Sequence, residues 1–238
     1  MEDLPSFHTA RHAIYRAKAL HQPPLPRSAE EVLLTAEHTT TLSGRPFVLF
    51  DDSSSIGRVL CFGTDDSLRT LAGAQEAFVD GTFFSSPPIF DQLVTVSVLE
   101  EGVHVNAVYL LLPGRSSDVY VAAFRRLLDE MQARHLQLHL LHFRTDFELG
   151  LIQALQTVYS STAVRGCHFH FAQAVWRAVQ RYRMATLYRQ NEIVRNTIQK
   201  AVSLAFLPVA YVRLARAGVN TEAAPVPGMS NFTTYFED

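Results

Sequence analysis

Asp80 and Asp146 are the residues through which this chain could do chemistry, because each stands at the end of an expected β-strand. Two carboxylates placed that way can share a pair of divalent cations, and paired cations neutralise both the entering and the leaving oxygen when a phosphodiester is cut or joined. The stretches that hold them are Val79-Asp80-Gly81-Thr82-Phe83 and Thr145-Asp146-Phe147-Glu148, followed by Gly166-Cys167-His168-Phe169-His170. An acid closing a central apolar strand is poorly solvated unless something cationic sits beside it, which favours a functional Asp80 over a turn-forming one. Asp146 has a second explanation. Thr145 and Glu148 fit a capping box, and an acid in the first turn of a helix suits the helix dipole. For Glu148 the reading as reciprocal cap is preferred to that of a supporting metal ligand. No third acid of the kind such chemistry uses is evident.

Positioning two acids together requires elements that bring distant segments side by side. Ala77 to Asp80 reads as a first core strand, Val94 to Val98 and Val103 to Leu111 alternate at period two as a second and third, and Leu136 to Phe143 makes a fourth. Ser116 or Ser117 caps a helix with Tyr120, Phe124, Leu127, Leu128 and Met131 on one face. A second helix is expected from Asp146, a fifth strand from Val164 to Phe169, and a long helical stretch from Phe171 to Phe206 that Pro208 ends. The order is that of an α/β fold, a ribonuclease H-like mixed five-stranded sheet flanked by helices. In that arrangement the fourth strand returns parallel to the first through a right-handed crossover, which makes Asp80 and Asp146 neighbours.

Upstream, residues 1 to 45 are rich in His, Pro and Ser and read as a lead-in wrapping the core, and two apolar runs from Pro46 to Phe50 and Arg58 to Phe62 suggest a β-hairpin around the linker Asp51 to Gly57. The expected organisation is 1–70 as lead-in with hairpin, 71–185 as core, and 186–238 as the start of a helical insertion.

Composition narrows the class. At 238 residues with 47% apolar and 18% charged residues, the chain can bury a full core. No run approaches a membrane span, and the acidic, proline-interrupted start gives no expectation of a secretion signal. Cys61 and Cys167 are the only cysteines, which favours a reducing compartment over a disulfide framework. No Gly-rich phosphate loop or nucleophile elbow supports a metabolic enzyme. The net charge of -2 hides an asymmetry, since Arg165 to Arg216 holds nine basic residues against Glu192 alone. Arg177, Arg181, Arg183 and Arg189 are therefore candidate phosphate contacts, with solvated helix faces an equal alternative. Cys167 and His170 form a Cys-x-x-His pair, but two ligands do not make a structural zinc site, and packing at a strand end is the preferred account. Trp176 is expected in the core.

The blocks Asp80-Gly81-Thr82-Phe83 with Pro88 and Gln92-Leu93, Thr145-Asp146-Phe147-Glu148, Gly166 to Ala174, and Leu187-Tyr188 with Leu204 to Pro208 together resemble the transposase domain of Mutator-like elements (MULE). The resemblance runs from about Leu4 to the end and is sharpest from Ala77 to Gln173. It implies a ribonuclease H-like D-D-E transposase that moves DNA elements by metal-dependent cleavage and strand transfer. Asp80 and Asp146 would be two of its three metal-binding catalytic acids, and Cys167 and His170 would belong to the Cys-x-x-His element beside them. It also implies Mg²⁺ or Mn²⁺ as cofactor, double-stranded transposon ends as partner, nuclear localisation, and leaves homo-oligomerisation open. Tyr235 to Asp238 resembles the interior of the insertion that precedes the family's third acid, so Glu237 and Asp238 are poor substitutes for it. No Cys/His cluster precedes Cys61, so the family's zinc-containing DNA-binding module is not expected. On this reading the catalytic set is incomplete, and the alternative is a domesticated or remnant domain that binds DNA or protein without catalysis.

Overall fold

The computed structural model describes residues 11, 13–17, 25–82 and 85–236, within which the apolar periodicities become one mixed sheet with helices. A helical turn, α1 (Ala36–Thr39), leads to a hairpin of β1 (Val48–Ser54) and β2 (Gly57–Phe62), then to α2 (Asp65–Gly73) and β3 (Glu76–Thr82). Next come β4 (Gln92–Glu100), β5 (Val103–Leu112), α3 (Ser117–Ala133), β6 (His142–Thr145), α4 (Leu149–Val158) and β7 (Ala163–Gly166). The chain continues as α5 (His168–Arg181), α6 (Ala185–Gln190), α7 (Glu192–Ser203), a 3₁₀ turn at Leu204–Phe206, α8 (Val209–Ala223) and α9 (Ser230–Tyr235).

The strand order is β1-β2-β5-β4-β3-β6-β7. The five strands from β5 to β7 carry the expected arrangement, with β3 antiparallel to β4 and parallel to β6. The sheet has seven strands rather than five because β2 pairs with the edge of β5, so the hairpin extends the sheet instead of standing beside it. Alternation explains the layering. Gln92, Val94, Val96 and Val98 are buried in β4, and they share a core with Leu68 and Leu71 of α2, Tyr120, Phe124 and Leu127 of α3, and Leu151 and Leu155 of α4.

Helices α5 and α7 to α9 build a separate apolar cluster from Val175, Val179, Val194, Ile198, Val219 and Phe232. Of the lead-in, the stretch from Ala29 to Leu34 packs on the sheet. Ala29 joins Leu60 and Phe90, and Arg58 donates to the carbonyls of Ala29 (2.7 Å) and Val32 (2.8 Å) while gripping Asp51 through two nitrogens. No helix among the described residues is long and apolar enough to cross a membrane.

Several boundaries depart from expectation for physical reasons. The hairpin linker is shorter, since Asp51 to Ser54 continue β1 and Gly57, at φ 102°, closes the turn. The fourth core strand is only His142–Thr145. Its partner β3 begins at Glu76, opposite His142, so Leu136, Leu138 and Leu140 face the core without a neighbouring strand to pair with. Thr145 is buried within β6 and cannot cap a helix, which starts instead at Leu149 with Glu148 as N-cap. The fifth strand ends at Gly166 because β6 offers no partner past Thr145. Cys167 and His170 thus sit on a helix start rather than on a strand. The long helical stretch is broken twice, at Arg183 with φ 57° and at Asn191, whose side chain accepts the amides of Ile193 and Val194.

Candidate active site

Register brings the two acids together. Val79 of β3 lies opposite Thr145 of β6, so the next residues follow side by side: Asp146 leaves the carboxyl end of β6, while Asp80 stays inside β3, which runs on to Thr82 paired with β4. This is the juxtaposition expected from the sequence. The Asp80 side chain is about half exposed, and His170 Nε2 stands 3.6 Å from its Oδ1. Partial burial pushes the Asp80 carboxyl above its ordinary value, His170 pulls it down and the Asp146 charge pushes it up again. The Asp146 charge is the smallest of these three influences, and it reaches Asp80 because the two residues follow one another across the strand pair.

Asp146 is held by its own turn. Its Oδ1 accepts the Glu148 amide at 3.1 Å and lies 3.5 Å from the Thr145 hydroxyl. The Glu148 side chain makes no reciprocal cap, which corrects that expectation. Instead it reaches the buried Tyr120, whose hydroxyl donates to Glu148 Oε1 (2.9 Å) and accepts Gln92 Nε2 (2.5 Å). Burial raises the Glu148 carboxyl, the Tyr120 hydrogen bond lowers it, and Asp146 raises it. Burial likewise raises the Tyr120 phenol.

Sequence reading missed this Gln92-Tyr120-Glu148 chain. Its one signal was a tyrosine on an apolar helix face, whose hydroxyl must find a partner when buried.

The Cys-x-x-His pair occupies the first turn of α5. The Cys167 amide donates to the Thr145 carbonyl at 2.7 Å, and its carbonyl accepts the Phe171 amide at 3.0 Å, which pins the helix start to the end of β6 and aims His170 at Asp80. Arg177 and Arg181 follow His170 at i+7 and i+11 on nearly the same helix face, about 10 and 16 Å along the axis. They are exposed, as are Arg183 and Arg189, and none of the four has a carboxylate partner among the described residues. Trp176 is not a core residue as expected, since 36% of it is exposed. Glu237, Asp238 and Phe83 lie outside the described residues.

Among the described residues no group of three or more His, Cys, Asp or Glu side chains gathers that could hold a metal ion. The donor set at Asp80 and Asp146 is a carboxylate pair. Mg²⁺ commonly takes one or two carboxylates and completes its shell with waters and substrate phosphates, so the pair fits a hard divalent cation in that mode.

Residues 77–174, which contain both acids, His170 and five of the seven strands, match the family model described as the MULE transposase domain. The match covers under half of the chain. No curated protein matches it. The match supports a transposase-related role for these residues.

Proposed function

We propose, from the premise that residues 77–174 form a MULE transposase domain, that this protein is a transposase core that cuts and joins DNA strands at Asp80 and Asp146. The observation that carries this reading is the convergence of Asp80 in β3 and Asp146 just past β6, one residue beyond the Val79–Thr145 pair. Asp80 and Asp146 would hold Mg²⁺ or Mn²⁺, which when bound neutralises charge on the entering and leaving oxygens of the phosphodiester. The chain's own residues prepare that site. His170 orients Asp80, and the Glu148 amide, anchored through Tyr120 and Gln92, orients Asp146. Arg177, Arg181, Arg183 and Arg189 give α5 and α6 a basic surface that follows the phosphate backbone of double-stranded transposon ends.

One observation favours a second reading, a domain that binds DNA or protein without catalysis: no third donor joins the acid pair among the described residues. Because the rate enhancement rests on charge neutralisation, loss of one positioned group costs about a hundredfold or more.

Calorimetric titration with Mn²⁺ of the wild type, Asp80→Ala and Asp146→Ala, paired with a cleavage and strand-transfer assay, decides between them. Mn²⁺ binding lost in both variants, with cleavage in the wild type alone, supports the transposase core. Binding without cleavage assigns the second reading. Equal affinity in all three proteins removes the shared site.

A further inference from the structure

The helix that carries His170 to Asp80 also carries one wall of a cavity that the acid pair does not use. This cavity, of about 470 Å³, lies between α5 and the α6 to α7 segment with the 3₁₀ turn, and its volume is within the usual range for small-ligand sites. Two aromatic pairs line it: Trp176 against Tyr188, with ring centres 5.1 Å apart at 75°, and His168 against Phe206, 4.3 Å apart at 38°. Large apolar rings are normally buried. Here Phe206 is 71% exposed and Trp176 36%, so their faces are open to a ligand.

Polar groups stand among the rings. His168 Nε2 is buried with no hydrogen-bond partner, and the exposed Gln199 lies on the same lining. Flat rings with a few hydrogen-bonding groups suit a planar ligand that has a π face and a polar edge, as a nucleobase does.

Charge decides between the two ligands such rings commonly take. An aromatic cage for a quaternary ammonium would be favoured by negative surroundings. No carboxylate lines this cavity, and the charged residues next in sequence to its lining are Arg177, Arg189 and Lys200, the last paired with Glu222. The surroundings suit a polyanion.

We propose that this cavity receives an unpaired nucleobase of the DNA strand whose backbone lies at Asp80 and Asp146. The inference rests on the transposase reading and adds a base-binding subsite to it. Trp176 is six residues past His170, about 9 Å along the axis and a third of a turn around it. That is two to three nucleotide steps at about 3.4 Å each. A paired base cannot enter because its faces are stacked, so the subsite selects a strand end or a splayed nucleotide.

Trp176 is the only tryptophan in the chain, which makes its fluorescence a reporter of this cavity alone. The full chain is titrated with three DNA duplexes: fully paired, carrying one unpaired base in an overhang, and carrying an abasic residue at that position. Binding is followed by anisotropy of a labelled strand and occupancy by Trp176 emission. The expected result is quenching by the unpaired-base duplex alone and affinity about tenfold above that of the abasic duplex. Phe206→Ala, at an exposed position that leaves the reporter intact, should abolish that preference while retaining binding to the paired duplex.

Equal quenching by the abasic duplex would overturn the proposal, because contact would then be through phosphates. Binding to all three duplexes with unchanged emission would overturn the base subsite and leave the transposase reading standing. Absence of binding to any duplex would overturn both. Quenching by tetramethylammonium but not by the unpaired base would make the cavity a cation cage and overturn it as well.

Discussion

Removing the Tyr120 hydroxyl should cost far more than a surface hydrogen bond, because that one oxygen serves two partners in a place water does not reach. Tyr120 and Gln92 are both fully buried, and the hydroxyl donates to Glu148 while accepting from Gln92. Tyr120→Phe loses a hydrogen bond to an anion, worth about 1.5–3 kcal/mol, and leaves the Gln92 amide with only the 3.3 Å contact to the Gly114 carbonyl. Gln92 Oε1 is already without a partner, so the amide has little left to offset its burial. The expected loss is about 2–4 kcal/mol, a fall in Tm of about 5–15 °C for a chain of this length.

The assay is urea unfolding followed by circular dichroism, with the double variant Tyr120→Phe/Gln92→Leu as control. Replacing Gln92 as well removes the orphaned amide and should recover part of the loss, about 1 kcal/mol, while the hydrogen bond to Glu148 stays lost. The site should respond too. Glu148 carries the amide that holds Asp146, so Mn²⁺ affinity in Tyr120→Phe should fall about tenfold. A loss below about 0.5 kcal/mol, the level of an ordinary surface substitution, or a double variant no more stable than the single one, would refute this account of the network.

Other consequences are equally direct. The folded state holds the Asp80 proton more tightly than the unfolded chain, so ionising Asp80 costs stability as pH rises from the unfolded value through the raised folded one. Asp80→Asn should therefore raise the Tm of the cation-free protein at neutral pH, and thermal melts in chelator should show the gain vanishing below the ordinary aspartate range of about 3.9. Cys61 is fully buried and its thiol is pushed well above the usual range, whereas Cys167 is half-buried, so a thiol-counting reagent should find one reactive group in the native protein and two in denaturant. If α5 contacts phosphates, Arg177→Gln and Arg181→Gln should each reduce the slope of log affinity against log salt by about 1. Arg58→Met leaves Asp51 unpaired and frees three backbone carbonyls, at a cost of about 3 kcal/mol, and limited proteolysis should then cut within 25–45.

The acid pair and the core topology were legible in the chain because their signals are local and repeated. Period-two valines mark β4 whatever surrounds it, and a crossover of one hand leaves β6 a single place beside β3, so the neighbours Asp80 and Asp146 follow from pattern and chirality alone. Asn191 caps a helix with its own side chain, yet the break it makes was hidden within a proline-free run of good helix formers.

What the tertiary structure decided depends on which segments lie beside one another. Thr145 and Glu148 have the right types and spacing for a capping box, but pairing with Val79 takes Thr145 into the sheet and Tyr120 takes the Glu148 side chain away. The hairpin joins the sheet only because β5 leaves an edge open to β2. His170 meets Asp80, ninety residues earlier, because the Cys167 amide ties α5 to the end of β6. Trp176, which composition alone would bury, stands open beside Tyr188 because α5 gives its inner face to Val175 and Val179. Local sequence sets which backbone conformation each segment prefers, whereas a side chain's partner is set by chain-distant neighbours that only the assembled fold supplies.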